Sequence, residues 1–125
     1  MAEVKGIGGV FFKCRDRKAL CAWYAEHLGL EISEHGAVDF PVAELPPDAW
    51  TVWGPFKAET RYFEPSDKPF MINFIVDDLE GVLERAERGG AERVGGIEDY
   101  EYGRFGWFLD PEGNKVELWQ PPAAE

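Results

Sequence analysis

One pattern occurs twice in this chain, and a duplicated pattern limits the fold more than any composition does. Near the start, GGVFFKCRD (Gly8 to Asp16) alternates, with Val10, Phe12 and Cys14 on one face and Gly9, Phe11 and Lys13 on the other. Asp16 stands where an N-cap belongs, ahead of a run in which Leu20, Trp23, Tyr24 and Leu28 recur at helical spacing until Gly29 ends it. Further on, PFMINFIVDD alternates again, with Ile72, Phe74 and Val76 opposite Met71, Asn73 and Ile75. A second helix follows: Asp77 and Glu80 fit a capping box, Leu79, Val82, Leu83 and Ala86 form a stripe, and Gly89-Gly90 is a stop. Asp16 matches Asp78, and WGPF (Trp53 to Phe56) matches WQPP (Trp119 to Pro122), at separations that differ by only a few residues.

Between these landmarks the first copy offers strands over Leu30 to His35 and Ala37 to Leu45, broken at Gly36, then a turn at Pro46-Pro47 and a strand over Ala49 to Trp53. Residues 57–68 have no sustained period and suit a connector. The second copy offers strands over Ala91 to Ile97 and Phe105 to Asp110, separated by the polar and aromatic loop Glu98 to Arg104, which is placed to lie over a pocket. DPEGN (Asp110 to Asn114) is strong turn chemistry, and after it Lys115, Glu117 and Trp119 share one face while Val116 and Leu118 share the other. The reading is α+β: two βαβββ modules, about 4–56 and about 69–122, in a single domain over 1–125.

With 125 residues, 45% hydrophobic and 30% charged, the chain has the balance of an ordinary globule. Its formal charge of −11 repels phosphate backbones and anionic lipid, so neither nucleic acid nor a membrane is expected as partner. No apolar run approaches the roughly eighteen residues of a membrane span, and MAEVKGIGG is no secretory signal, so a cytoplasmic location is expected. Cys14 and Cys21 form no CxxC and read as reduced, packed thiols.

WYAEHLGL, FIVDDLEGVLERAERGGA and above all FLDPEGNKVELWQP resemble the vicinal oxygen chelate superfamily, which groups glyoxalases, bleomycin-resistance proteins and extradiol dioxygenases. The resemblance covers nearly the whole chain. It implies two modules whose curved mixed sheet surrounds a cup, and a homodimer. Metal-using members place ligands on the first and last strands of each module, which here correspond to Gly9, Thr51, Met71 and Glu117. A catalytic divalent site needs about three ligands from His, carboxylate or thiolate. Only Glu117 qualifies, so a complete metal site is not expected, and no other cofactor is.

Alternation turns Phe11, Lys13, Met71, Asn73 and Ile75 toward the cup, together with Thr51, Trp53, Lys115, Glu117 and Trp119. Such a mix of rings, aliphatics and a few polar groups is how small-molecule sites are built, although the rings would also serve simply to fill the space. Glu117 in these surroundings is the candidate acid or base, its neutral form favoured by loss of water; the alternative is a structural carboxylate paired with Lys13 or Lys115. Tyr100, Tyr102 and Arg104 form a lid able to hydrogen-bond a polar ligand group, or else an exposed hairpin tip. His35 follows a strand and either faces the cup or, as the preferred reading beside Gly36, is an exposed turn residue. The expected function is the binding of a small, partly apolar molecule without a metal. The competing expectation is a glyoxalase-type lyase or isomerase that moves a proton through Glu117.

Overall fold

In the computed structural model, which describes residues 2–123, both helices form where the spacing of apolar residues places them. Helix α1 (Arg17–Leu28) starts at Asp16, whose carboxylate accepts the Ala19 N–H at 3.0 Å. It ends at Gly29, which takes a left-handed φ of 71° that a Cβ would strain. Helix α2 (Leu79–Arg88) is capped by Asp78, which accepts the Gly81 N–H at 3.1 Å, and not by Asp77. The expected capping box is therefore one residue out: Glu80 does not reach back to the cap but pairs with Arg104.

The second half supplies the sheet. Its strands are β1 (Ile72–Ile75), β2 (Glu92–Arg93), β3 (Glu98–Tyr100), β4 (Gly103–Leu109) and β5 (Lys115–Gln120), in the order β1-β5-β4-β2, with β3 also on β4. β1 runs parallel to β5, and the other pairs are antiparallel. β2 and β3 share the partner β4: β2 falls within the expected strand Ala91 to Ile97, which breaks off before Gly95 turns through a positive φ, whereas β3 forms in the stretch expected as a loop. Glu98 to Arg104 is consequently a tight hairpin and not a loop over a pocket.

Both helices pack on one face of this sheet. Leu79, Leu83 and Ala86 of α2 and Leu20 and Tyr24 of α1 meet Phe108, Val116 and Leu118, all buried. Each large apolar side chain removed from water in this way contributes about 1.5–3 kcal/mol. The contact is close at Gly106, where a Cβ would come within 2.8 Å of Leu83. The DPEGN turn fastens α1 to the sheet. Asp110 accepts the Tyr24 hydroxyl and the Asn114 amide, each at 2.9 Å, while the Glu112 carboxylate takes the N–H groups of Arg15 (2.6 Å) and Asp16 (2.7 Å).

The first half departs from expectation. Among the described residues before β1 no stretch forms a ladder: Gly8 to Cys14, Leu30 to His35, Ala37 to Leu45 and Ala49 to Trp53 run without strand partners, and Val42–Glu44 is a short 3-10 turn. Alternation predicts two unlike faces only where one face is covered. Here Val10 and Phe11 are exposed alike. The turn at Gly36 does form, with Ser33 N–H donating to Ala37 and Gly36 N–H to Ser33. The fold is α+β with two helices on an open, curved mixed sheet. No helix among the described residues is long and apolar enough to cross a membrane.

Candidate functional site

Alternation along β5 gives it two jobs. Val116 and Leu118 enter the core beneath the helices, whereas Lys115, Glu117 and Trp119 turn to the opposite face, and all five are buried. Register then assembles the surroundings of Glu117: Trp107 lies opposite it on β4 and Asn73 opposite it on β1.

Glu117 is only 8% exposed, so its oxygens need partners within the protein. Asn73 Nδ2 donates to Oε1 at 2.7 Å and the Trp107 indole N–H donates to Oε2 at 2.8 Å. The Tyr62 hydroxyl, which comes from the connector, donates to Oε2 as well. The carboxylate is the acceptor in all three bonds. Burial, then the hydrogen bond to Glu117 and its negative charge, pushes the Tyr62 phenol well above its usual range.

Lys115 does not pair with Glu117. Its ammonium donates to the Tyr62 carbonyl at 2.6 Å and sits 5.0 Å from the Tyr62 ring centre and 5.7 Å from that of Trp107. Burial lowers its pKa below the ordinary 10.5, while the charge of Glu117 acts in the opposite direction. Trp119 completes the face: its indole N–H donates to the Tyr102 carbonyl at 2.8 Å, and its ring lies 5.0 Å from Trp50.

Residues 9–119 match the family of the glyoxalase-like domain. The chain belongs to that family. It thereby belongs to the superfamily of glyoxalases, bleomycin-resistance proteins and dioxygenases. A relative, the uncharacterized protein YetH of Bacillus subtilis (strain 168), is 29% identical over 119 residues, covering 89% of this chain and 94% of that one. Among solved structures, TnmS3, an antibiotic-binding protein from Streptomyces sp. CB03234, superposes with a TM-score of 0.60 at 19% identity over 98% of this chain and 100% of its own. A glyoxalase/bleomycin resistance protein/dioxygenase family enzyme from Burkholderia phytofirmans PsJN gives 0.55 at 19% identity, over 86% and 92%. At such identities the two structures share the fold with this chain.

Within this glyoxalase-like chain the four positions that correspond to family metal ligands do not form one donor set. Glu117 is buried, Met71 half-buried, and Thr51 and Gly9 lie exposed in the unladdered first half, where a Cβ on Gly9 would meet nothing nearer than the Phe11 ring. Among the described residues no three His, Cys, Asp or Glu side chains gather. What surrounds Glu117 is an amide N–H, an indole N–H, a phenol and an ammonium. As bonded here the first three direct protons at the carboxylate, and the ammonium adds a positive charge beside it.

Of the remaining expected site residues, Asn73 and Trp119 share the face of Glu117. Phe11, at 96% exposure, and Trp53, at 80%, stand in solvent, as does Lys13. Arg104 turns to the helix side, where it pairs with Glu80 at 3.0 Å and Asp99 at 2.8 Å and is not available to a ligand on the Glu117 face. Tyr102 contributes its carbonyl to Trp119 while its ring stacks on Tyr100 at 5.2 Å. With Trp50 and Pro122 it borders a shallow depression of about 390 Å³. His35 is exposed. Sequence reasoning missed two residues. Trp107 was within reach, since alternation from Phe105 puts it on the face of Glu117; Tyr62, in a connector without period, carried no signal.

Proposed function

We propose that this chain binds a small, partly apolar molecule on the Glu117 face, without a metal and without turning it over. One observation carries this reading: Asn73, Trp107 and Tyr62 aim three donors at Glu117, so both carboxylate oxygens are engaged and held in place. A general base must reach a substrate proton with a free lone pair in the right direction. A carboxylate accepts at about four lone-pair positions, and with three taken the one left is fixed in direction, which suits it to orient a ligand that offers its own donor there. The antibiotic-binding neighbour TnmS3 supports the same reading at the level of fold.

The test is a fluorescence titration with a panel of small aromatic molecules. Saturable quenching of the buried tryptophans with no product supports binding. Conversion of a hemithioacetal on addition of divalent ions, abolished in Glu117→Gln, would overturn it in favour of a glyoxalase-type lyase.

The reading includes a homodimer in the cytoplasm. The exposure of Val10, Phe11, Val52 and Trp53 in the first half supports a second copy as cover, because packing such side chains against a partner removes apolar surface from water. Sedimentation giving only monomer at micromolar concentration would remove this part.

A further inference from the structure

Tyr62 belongs to the connector and not to the sheet, and it is 41% exposed even though its hydroxyl ends on a buried carboxylate. It is inserted into the site from the outside. Its phenol meets a full set of recognition groups. Glu117 accepts the hydroxyl proton, Lys115 stands 5.0 Å from the ring centre, Trp107 meets the ring edge-on at 6.3 Å and 88°, and Phe56 stacks on it at 5.6 Å and 13°.

We propose that the space filled by the Tyr62 phenol is a ligand subsite for small aromatic hydroxyl compounds, with residues 57–68 as its exchangeable cover. This rests on the reading of the Glu117 face as a binding site and names the chemical class that the site takes. The selectivity follows from the groups present. A carboxylate ligand would face Glu117 with like charge, and an ammonium on Glu117 would set that attraction against repulsion from the Lys115 ammonium close by. An aliphatic alcohol would satisfy Glu117 but forgo the cation and ring contacts that a planar ring makes. A phenol keeps every contact made by the Tyr62 ring and hydroxyl.

Exchange is nearly balanced in hydrogen bonds. The incoming hydroxyl replaces that of Tyr62 on Glu117 one for one, and the strap gives up its bond from Lys115 to the Tyr62 carbonyl. The Arg61–Glu64 pair lies within the strap and travels with it. Lys68, which donates to Asn114 at 3.2 Å, marks the end at which the strap stays attached.

The test is calorimetric titration of the whole chain with p-cresol and with 4-methylanisole, which has the same ring but no hydroxyl proton, in wild type, Tyr62→Gly and Tyr62→Phe. Wild type should bind p-cresol saturably. Tyr62→Gly, freed of its internal competitor, should bind it about tenfold or more tightly than wild type, and Tyr62→Phe, which loses only the hydroxyl, several-fold more tightly. 4-Methylanisole should bind about tenfold more weakly than p-cresol throughout. If wild type binds no p-cresol while Tyr62→Gly does, Tyr62 is a fixed plug and the proposal falls. Equal affinity for the two compounds also overturns it. Should Tyr62→Gly fail to fold by circular dichroism, the wild-type preference for p-cresol and its gain in Tyr62→Phe decide alone. Tryptophan quenching by other molecules that is indifferent to Tyr62 replacement would sink this inference and leave the broader binding reading intact.

Discussion

Trp107 and Glu117 face each other across β4 and β5, and the indole N–H donates to the carboxylate at 2.8 Å. Each carboxylate oxygen has named donors, and their loss has a direction. Trp107→Phe leaves Oε2 with Tyr62 alone, and Asn73→Ala leaves Oε1 with no remaining protein donor among the bonds described. Asn73→Ala should destabilise by about 1–3 kcal/mol, because a buried acceptor loses its partner, and the bond lost in Trp107→Phe should cost about 0.5–1.5 kcal/mol, because Oε2 keeps Tyr62. Urea unfolding midpoints at unchanged slope check this.

Glu117→Gln sets an amide NH₂ against Asn73 on one side or against Trp107 and Tyr62 on the other. Turned toward the indole, which can only donate, the NH₂ meets a donor; turned toward Asn73, it is satisfied only once that amide also turns to present Oδ1, and the charge that strengthens all three bonds is gone either way. The variant should be less stable than wild type by about 1–3 kcal/mol, measured by thermal unfolding, and a Glu117→Gln protein as stable as wild type would contradict the bonding described.

Gly106 is where β4 lies closest to α2. A Cβ there would stand 2.8 Å from Leu83 and 3.2 Å from Leu79, both fully buried, so neither leucine can swing aside into water. Gly106→Ala should therefore cost about 1–3 kcal/mol through overpacking. Gly90 has no heavy atom within 4 Å of such a Cβ, and any cost of Gly90→Ala comes from its φ of 94° alone. Paired unfolding curves separate the two causes.

Glu112 gives the protein a dependence on acid. The backbone N–H groups of Arg15 and Asp16 hold its carboxyl below the ordinary 4.5. A carboxyl lowered in the folded state stabilises it above its unfolded pKa, and that stability is lost as pH falls through the folded value. Wild type should lose more stability than Glu112→Gln between about pH 5 and about pH 3. Parallel curves for the two proteins would place the acid sensitivity elsewhere.

Tyr24→Phe should be mild, at about 0.5–1.5 kcal/mol. Asp110 still accepts the Asn114 amide and the backbone N–H groups of Glu112 and Asn114, so it is not left bare. Asp110→Ala should cost distinctly more, since it strips the turn that holds α1. Chemical denaturation of both variants gives the ratio.

The parts of the fold legible in sequence are those with a covered face. Ile72 to Ile75 and Lys115 to Gln120 alternate because helices lie on one side of them, and Leu79, Leu83 and Ala86 recur because a sheet lies under them. Gly8 to Cys14 alternates just as well, but residues 8–14 have no ladder in this structure, and alternation by itself names no partner. Glu117 and Asn73 were readable as neighbours from face and repeat. Arg104 is misplaced only on the lid reading; with Glu98–Tyr100 paired to β4 as the alternative hairpin requires, alternation sends Arg104 and Phe105 to opposite sides. Tyr62 reaches Glu117 across 55 positions from a segment with no period, and no local rule links the two.

β5 occupies the middle of the sheet, between β1 and β4, yet it follows every other strand in chain order. During synthesis β1 and β4 must wait for the segment that joins them. A nascent chain halted just before Lys115 would hold both helices and the paired hairpin, with the first strand of the sheet still unmoored.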